Sequence, residues 1–192
     1  MRDELRDVWG LATANSWQVD AIWLLSRAAH ASRLLLVRKT GDGKSAVVFG
    51  AASLLRGVSL VVVPLLGLGV DLCARVNGPA ARARHVVAFH LDELARPAQR
   101  KLARCLRQIA AAGDAAGATL LLICSPQALG PEKRWRPLVE SLAAGGVLRL
   151  LAVDEADKIL TAGRAFRTKF AQFAQLATAL TRTHRLSLPL VA

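Results

Sequence analysis

Short apolar runs alternate with longer amphipathic stretches along this chain of 192 residues. The runs fall at 34–37, 60–63, 86–89, 119–123, 147–153 and 186–191, and all are rich in Leu and Val. None shows clean polar alternation. A strand with one wet face alternates, whereas a strand covered on both faces reads as a continuous apolar run. The runs therefore predict strands buried on both sides. The stretches between them carry helical spacing. Residues 18–29 place Ala21, Ile22, Leu24, Leu25 and Ala28 on one side, and 46–55 reads as a second helix. Residues 94–111 set Ala98, Leu102, Cys105, Leu106 and Ile109 at three- and four-residue steps, with Arg96, Arg100, Lys101, Arg104 and Arg107 opposite. Residues 166–180 repeat the pattern with Phe166, Phe170, Phe173 and Leu176. Strands alternating with helices predict a three-layer α/β domain, a mainly parallel central sheet flanked by helices. Ligands of such sheets sit beyond the carboxyl ends of the strands. The residues just after each run are thus the ones to inspect.

Composition narrows the classes. Apolar residues make up 53%, too many for a disordered chain and enough for the core of one domain. Cys73, Cys105 and Cys124 are far apart and odd in number, which excludes a disulfide scaffold and fits a reducing compartment. The longest apolar run, 60–70, contains Pro64 and is far short of the ~20 residues of a membrane span. Met1-Arg2-Asp3-Glu4 puts acids where a signal peptide is basic and then apolar, so an intracellular protein is expected, nuclear in a eukaryote and otherwise cytoplasmic. Lys and Arg total 26 against 14 acids, a formal charge of +12. Such a surface attracts polyanions, so nucleic acid is a permitted partner.

Two strand ends carry chemistry. After the first run comes Arg38-Lys39-Thr40-Gly41-Asp42-Gly43-Lys44-Ser45, followed by the helix 46–55. Gly41 and Gly43 can take positive φ, and loop N–H groups with a helix N-terminus can surround phosphates. Lys44 would reach the β- and γ-phosphates and Ser45 would hold Mg²⁺. Arg38 occupies the place of the first Gly of the general pattern, whereas Thr40 to Ser45 keeps the shorter form intact. The run 147–153 ends in Asp154-Glu155-Ala156-Asp157. Carboxylates at a buried strand end are costly without a counter-charge. A Mg²⁺·nucleotide supplies one, with Asp154 on the metal and Glu155 on the attacking water. The rival reading is a helix start decorated with acids that favour its dipole.

Together these residues resemble the first RecA-like lobe of a superfamily 2 helicase of the DEAD/DEAH group, most similar to RecQ-type DNA helicases. Trp9-Gly10 followed by Gln18 matches the spacing of that family's motif 0, which implies that Gln18 reads the adenine edge. Val61 to Leu65 resembles motif Ia, which touches the nucleic-acid backbone and brings in Pro64. Ser125-Pro126-Gln127 resembles the segment where a Pro-Glu pair follows a strand. Gly163 to Arg167 resembles the aromatic-rich loop that couples DNA to hydrolysis, which implies DNA contacts for Arg164, Phe166 and Arg167. Asp157 would link hydrolysis to interlobe closure.

The resemblance implies one P-loop NTPase lobe over 1–192, with the motif 0 region at 1–30 and the core at 31–192. Its implied ligands are ATP, Mg²⁺ and nucleic acid, DNA before RNA. The last run looks like the strand leading into motif III, so motif III and a second lobe are expected to lie outside this chain. Joined to that lobe, ATP hydrolysis would drive translocation and unwinding. The lobe alone would have little or no activity. The sequence also departs from RecQ. Asp157 replaces the usual His, Asn15 an Arg, Ala14 an aromatic and Ala162 a Trp. The Asp157 ending is typical of RNA-directed DEAD-box ATPases. A degenerate lobe that binds nucleotide or nucleic acid without turnover, a P-loop ATPase outside the helicases, and a decayed copy of a mobile-element helicase remain as alternatives.

The remaining residues read as structural. His30, His85, His90 and His184 have no metal-ligand spacing. Cys124 is expected to be a buried thiol and Trp17 and Trp23 to pack. Asp92-Glu93 could line the cleft or cap the following helix, and the cap is the favoured reading. The basic face of 94–111 is expected to be solvated, whereas the denser patches of Lys133, Arg134 and Arg136 beside Trp135 and of Arg164, Arg167 and Lys169 are either solvated or meet phosphate backbones.

Overall fold

Four runs of five or six residues form most of the sheet: β2 (Gly57–Val62), β3 (Val86–His90) at one edge, β4 (Thr119–Cys124) and β5 (Leu148–Val153). The protein was described from a computed structural model covering residues 14–27, 33–39, 41–78, 85–156, 163–183 and 190–191. Two-residue strands β1 (Arg33–Leu34) and β6 (Leu190–Val191) complete a six-stranded sheet of order β1-β6-β5-β2-β4-β3. Every pairing is parallel.

Double-sided burial explains the missing alternation. In β2, Val58, Leu60 and Val62 enter one core with Leu122 of β4 and Leu151 of β5. Val61 and the following Val63 enter the other core with Leu121, Ile123, Leu150 and Ala152. Helices α1 (Ser16–Arg27), α2 (Lys44–Leu55) and α3 (Leu66–Val76) cover the second core. Helices α4 (Arg96–Ala112), α5 (Trp135–Ala144) and α6 (Arg164–Thr183) cover the first. The three-layer α/β expectation holds.

Four local expectations need correction. The run 34–37 is not a strand covered on both faces: pairing stops at Leu34, and Leu35 and Val37 are 68% and 81% exposed. β1 lies at the sheet edge, so only β6 pairs with it. In α4 the buried residues are Leu102, Ala103 and Leu106, while Ala98 and Cys105 are exposed. The buried stripe is rotated about one position from the expected one. Trp23 does not pack in the core but is 50% exposed, with the Arg27 guanidinium 5.3 Å from its ring centroid. Asp92 does not cap α4, whose N-cap is Ala95.

Candidate nucleotide site

Parallel pairing brings all strand carboxyl ends to one edge, and the two acid- and glycine-bearing segments meet there. The backbone ladder continues past the strands, with Asp154 N–H donating to Val62 O at 2.9 Å and Val63 N–H to Cys124 O at 2.9 Å. Ser45, at the start of α2, donates its Oγ hydrogen bond to Asp154 Oδ2 at 3.0 Å across 109 positions of sequence.

The loop is shaped for an anion. Gly41 and Gly43 have φ of 91° and 84°. Such left-handed values cost a residue with a Cβ about 1–2 kcal/mol. Gly43 is also the N-cap of α2, with no side-chain cap on the helix. Ala46 N–H turns back to Gly43 O at 3.1 Å, which leaves the N–H groups of Lys44 and Ser45 for a phosphate. Lys44 Nζ donates to the carbonyls of Arg38 at 3.0 Å and Lys39 at 3.3 Å, so its ammonium arches over the loop. Asp42 is exposed and its N–H donates to Lys39 O at 3.3 Å. Thr40 lies outside the described residues.

Helix α1 braces the loop. Gln18 is 2% exposed; its Nε2 donates to Gly43 O at 3.0 Å, and its Oε1 accepts from Asn15 N–H at 2.9 Å. The Arg38 guanidinium lies 4.8 Å from the Trp17 ring centroid. The residue in place of the first loop glycine thereby stacks on the residue before Gln18. Neither contact is readable from spacing alone.

At the acidic end, Glu155 adopts φ 50° and its N–H is capped by Asp154 Oδ1 at 3.0 Å. A Glu in the left-handed region is uncommon, and such outliers gather at functional sites. Asp157, Ala162, Trp9 and Gly10 lie outside the described residues. So do the side chains of Arg164 and Phe166, which begin α6. Arg167 is exposed on its first turn, with its N–H donating to Gly163 O at 3.2 Å.

The same edge continues over β3 and β4. Asp92 accepts Ser125 N–H at 2.8 Å and Ser125 Oγ at 2.7 Å, tying the end of β3 to the end of β4. This tie was missed in the sequence because its partners are 33 positions apart. His90 is buried, 4.0 Å from Asp92 Oδ2, and neither ring nitrogen is hydrogen-bonded among the described residues. Cys124 is buried beneath, and burial first, then the Asp92 charge, pushes its thiol well above the ordinary 9.0. Pro64 is buried, and the exposed residues beside it are Leu65 and Leu66.

The donor set fits a hard cation. A hydroxyl and one carboxylate in contact are the protein share that Mg²⁺ takes when phosphates and water supply the rest. Among the described residues no cluster of three or more His, Cys, Asp or Glu could hold a metal on its own.

No protein-family model matches the chain, and no curated protein sequence matches it. Solved structures do. The chain is similar to the DUF1998 helicase MrfA at 14% identity and a TM-score of 0.66, over 98% of this chain and 28% of that one. It is similar to a hypothetical ATP-dependent RNA helicase from Sulfolobus tokodaii at 12% identity and a TM-score of 0.55, over 100% of this chain and 57% of that one. The chain therefore spans less than two thirds of either protein's length. At these identities the likeness shows the fold alone, an α/β domain with a parallel central sheet flanked by helices.

Proposed function

We propose that this chain is the ATP-binding RecA-like lobe of a RecQ-like DNA helicase, which hydrolyses ATP when a second lobe closes over the nucleotide. The observation that carries the reading is the 3.0 Å contact between Ser45 Oγ and Asp154 Oδ2. It joins the glycine loop to the acidic motif, the pairing that a metal–nucleotide site needs and a decorated helix start does not.

Each residue has a role in this reading. Lys44 would turn its ammonium from the Arg38 and Lys39 carbonyls to the nucleotide phosphates. The N–H groups of Gly41 and of Gly43 to Ser45 would cradle those phosphates, Asp42 N–H being held by Lys39 O. Ser45 and Asp154 would hold Mg²⁺, which supplies charge neutralisation of the β- and γ-phosphate oxygens when bound. Glu155 would orient the attacking water and accept its proton. Gln18 would turn its amide from Gly43 to the adenine edge, and Asp157 would couple hydrolysis to lobe closure. Arg164, Phe166 and Arg167 would face the nucleic acid, and beside the buried Pro64 the exposed Leu65 would take the motif Ia contact.

Titration of a fluorescent ATP analogue with Mg²⁺ into wild type and Lys44→Ala tests the site. Saturable binding that the substitution abolishes is expected. No binding by folded wild type overturns the reading. Glu155→Gln then separates an ATPase from a module without turnover, because it changes nothing if basal hydrolysis is already absent. Stimulation by oligo(dT) over oligo(U) is expected. The reverse favours the RNA-directed alternative, which the Asp157 ending and the likeness to a hypothetical ATP-dependent RNA helicase both support. Processive unwinding by residues 1–192 alone would sink the account.

A further inference from the structure

Helix α4 presents a row of cations that no described carboxylate neutralises. Arg96, Arg100, Arg104 and Arg107 recur at steps of four, four and three, all exposed. At 1.5 Å per residue the row spans about 16 Å, with about 6 Å between rungs. No acid occurs between residues 94 and 113. Among the described residues no carboxylate pairs with the row.

The fold adds a second wall. Arg134, just before α5, enters a groove of about 450 Å³ with Arg100, Arg104 and Arg107, floored by Ala103 and Leu138. Its Nη1 donates to Gln99 Oε1 at 2.9 Å, which holds the guanidinium at the groove mouth. Arg134 and Gln99 also line a neighbouring depression with Asp92 and Gln127, at the carboxyl ends of β3 and β4. The groove therefore opens onto the edge where the nucleic acid is proposed to lie.

We infer that the groove between α4 and α5 is a second polyanion site, taking the sugar–phosphate backbone of a single-stranded polynucleotide as it leaves the strand-end face. A linear cation row suits a linear polyanion, and guanidinium forks match phosphate oxygens two at a time. Trp135 is buried, so it is not available to stack a base. Recognition here is of backbone charge and not of sequence. A lipid surface fits poorly, because none of the exposed large hydrophobic residues lies on α4 or α5. The direction of the path rests on the helicase reading, but the site itself goes beyond it.

The test is fluorescence anisotropy of a fluorescein-labelled oligo(dT) with the full chain, titrated in salt. Wild type is compared with the triple variant Arg100→Ala/Arg104→Ala/Arg107→Ala. Losing three phosphate contacts should flatten the log–log salt slope by about 2. Between 50 and 200 mM salt the wild type should therefore lose about 20-fold more affinity than the variant. The charge-retaining triple Lys variant should keep the steep slope, and both variants should bind the ATP analogue as wild type does. Equal slopes in wild type and the Ala variant overturn the site, as does no oligonucleotide binding by wild type. Binding of poly-aspartate or anionic vesicles that the Ala variant loses, with the oligonucleotide slope unchanged, assigns the groove to another partner and also overturns it. Failure of the nucleotide reading would appear separately, as analogue binding indifferent to Lys44→Ala.

Discussion

Replacing Gly43 by Ala tests whether the Gln18 amide braces the phosphate loop. Gly43 sits at φ +84°, and an added Cβ would come within 2.7 Å of Gln18 Nε2. The left-handed conformation alone costs about 1–2 kcal/mol. The amide is the far end of a flexible side chain, so it yields before the backbone does. Yielding breaks its 3.0 Å bond to the Gly43 carbonyl, in a site where Gln18 is 2% exposed. An unmade bond at such a buried group costs about 1–3 kcal/mol. Gly43→Ala should therefore destabilise the fold by about 2–5 kcal/mol. In a Gln18→Ala background the new methyl meets no amide. There only the conformational part, about 1–2 kcal/mol, should remain. Guanidinium denaturation of wild type, both single variants and the double variant reads this directly from the midpoints at a shared slope. The double variant should be more stable than the sum of the singles predicts by about 1–3 kcal/mol. An equal cost of Gly43→Ala in both backgrounds refutes the brace.

The tie between strand ends is expected to matter for stability. Ser125→Ala should cost about 1.5–3 kcal/mol in chemical denaturation, because it removes a hydrogen bond to a charged acceptor; a loss under 0.5 kcal/mol would count against it. Thiol labelling at pH 8 should modify Cys105 rapidly, Cys73 slowly and Cys124 only on unfolding, since Cys105 is exposed, Cys73 half-buried and Cys124 buried. Fast labelling of Cys124 in folded protein would contradict its place under β4. Stability should also fall as pH rises above 9.0, the ordinary thiol value from which Cys124 is raised. There the unfolded chain releases the Cys124 proton while the fold retains it. The slope approaches 1.4 kcal/mol per pH unit per such thiol. Denaturation midpoints between pH 8 and 11 should show that slope shrink in Cys124→Ala.

Much of the layer order was legible because two-sided burial leaves a signature in composition. The runs around β2, β3, β4 and β5 read as strands from Leu and Val content alone. Helix α6 was legible from Phe170, Phe173 and Leu176, all of which are buried. Helices α3 and α5 were not anticipated. The start of α3 is hidden in a longer apolar run, where Leu and Val content alone cannot separate strand from helix. At Leu35 and Val37 the sequence misled, because hydrophobicity records what a residue favours and not how many neighbours a sheet edge supplies.

The candidate site divides along the same line. Local sequence determined the glycine loop with its helix start, and the acids at a strand end. Those features depend on the conformations and charges of adjacent residues. It also determined the row of arginines on α4, since helical periodicity is a local property. Tertiary structure alone decided that Ser45 meets Asp154, that Gln18 and Trp17 grip the loop, and that Asp92 binds Ser125. It alone decided that Arg134 completes the groove of Arg100, Arg104 and Arg107. Each of these pairings closes a long loop of chain, and the parallel sheet that brings their strand ends to one edge is itself a long-range arrangement that no short window of sequence contains.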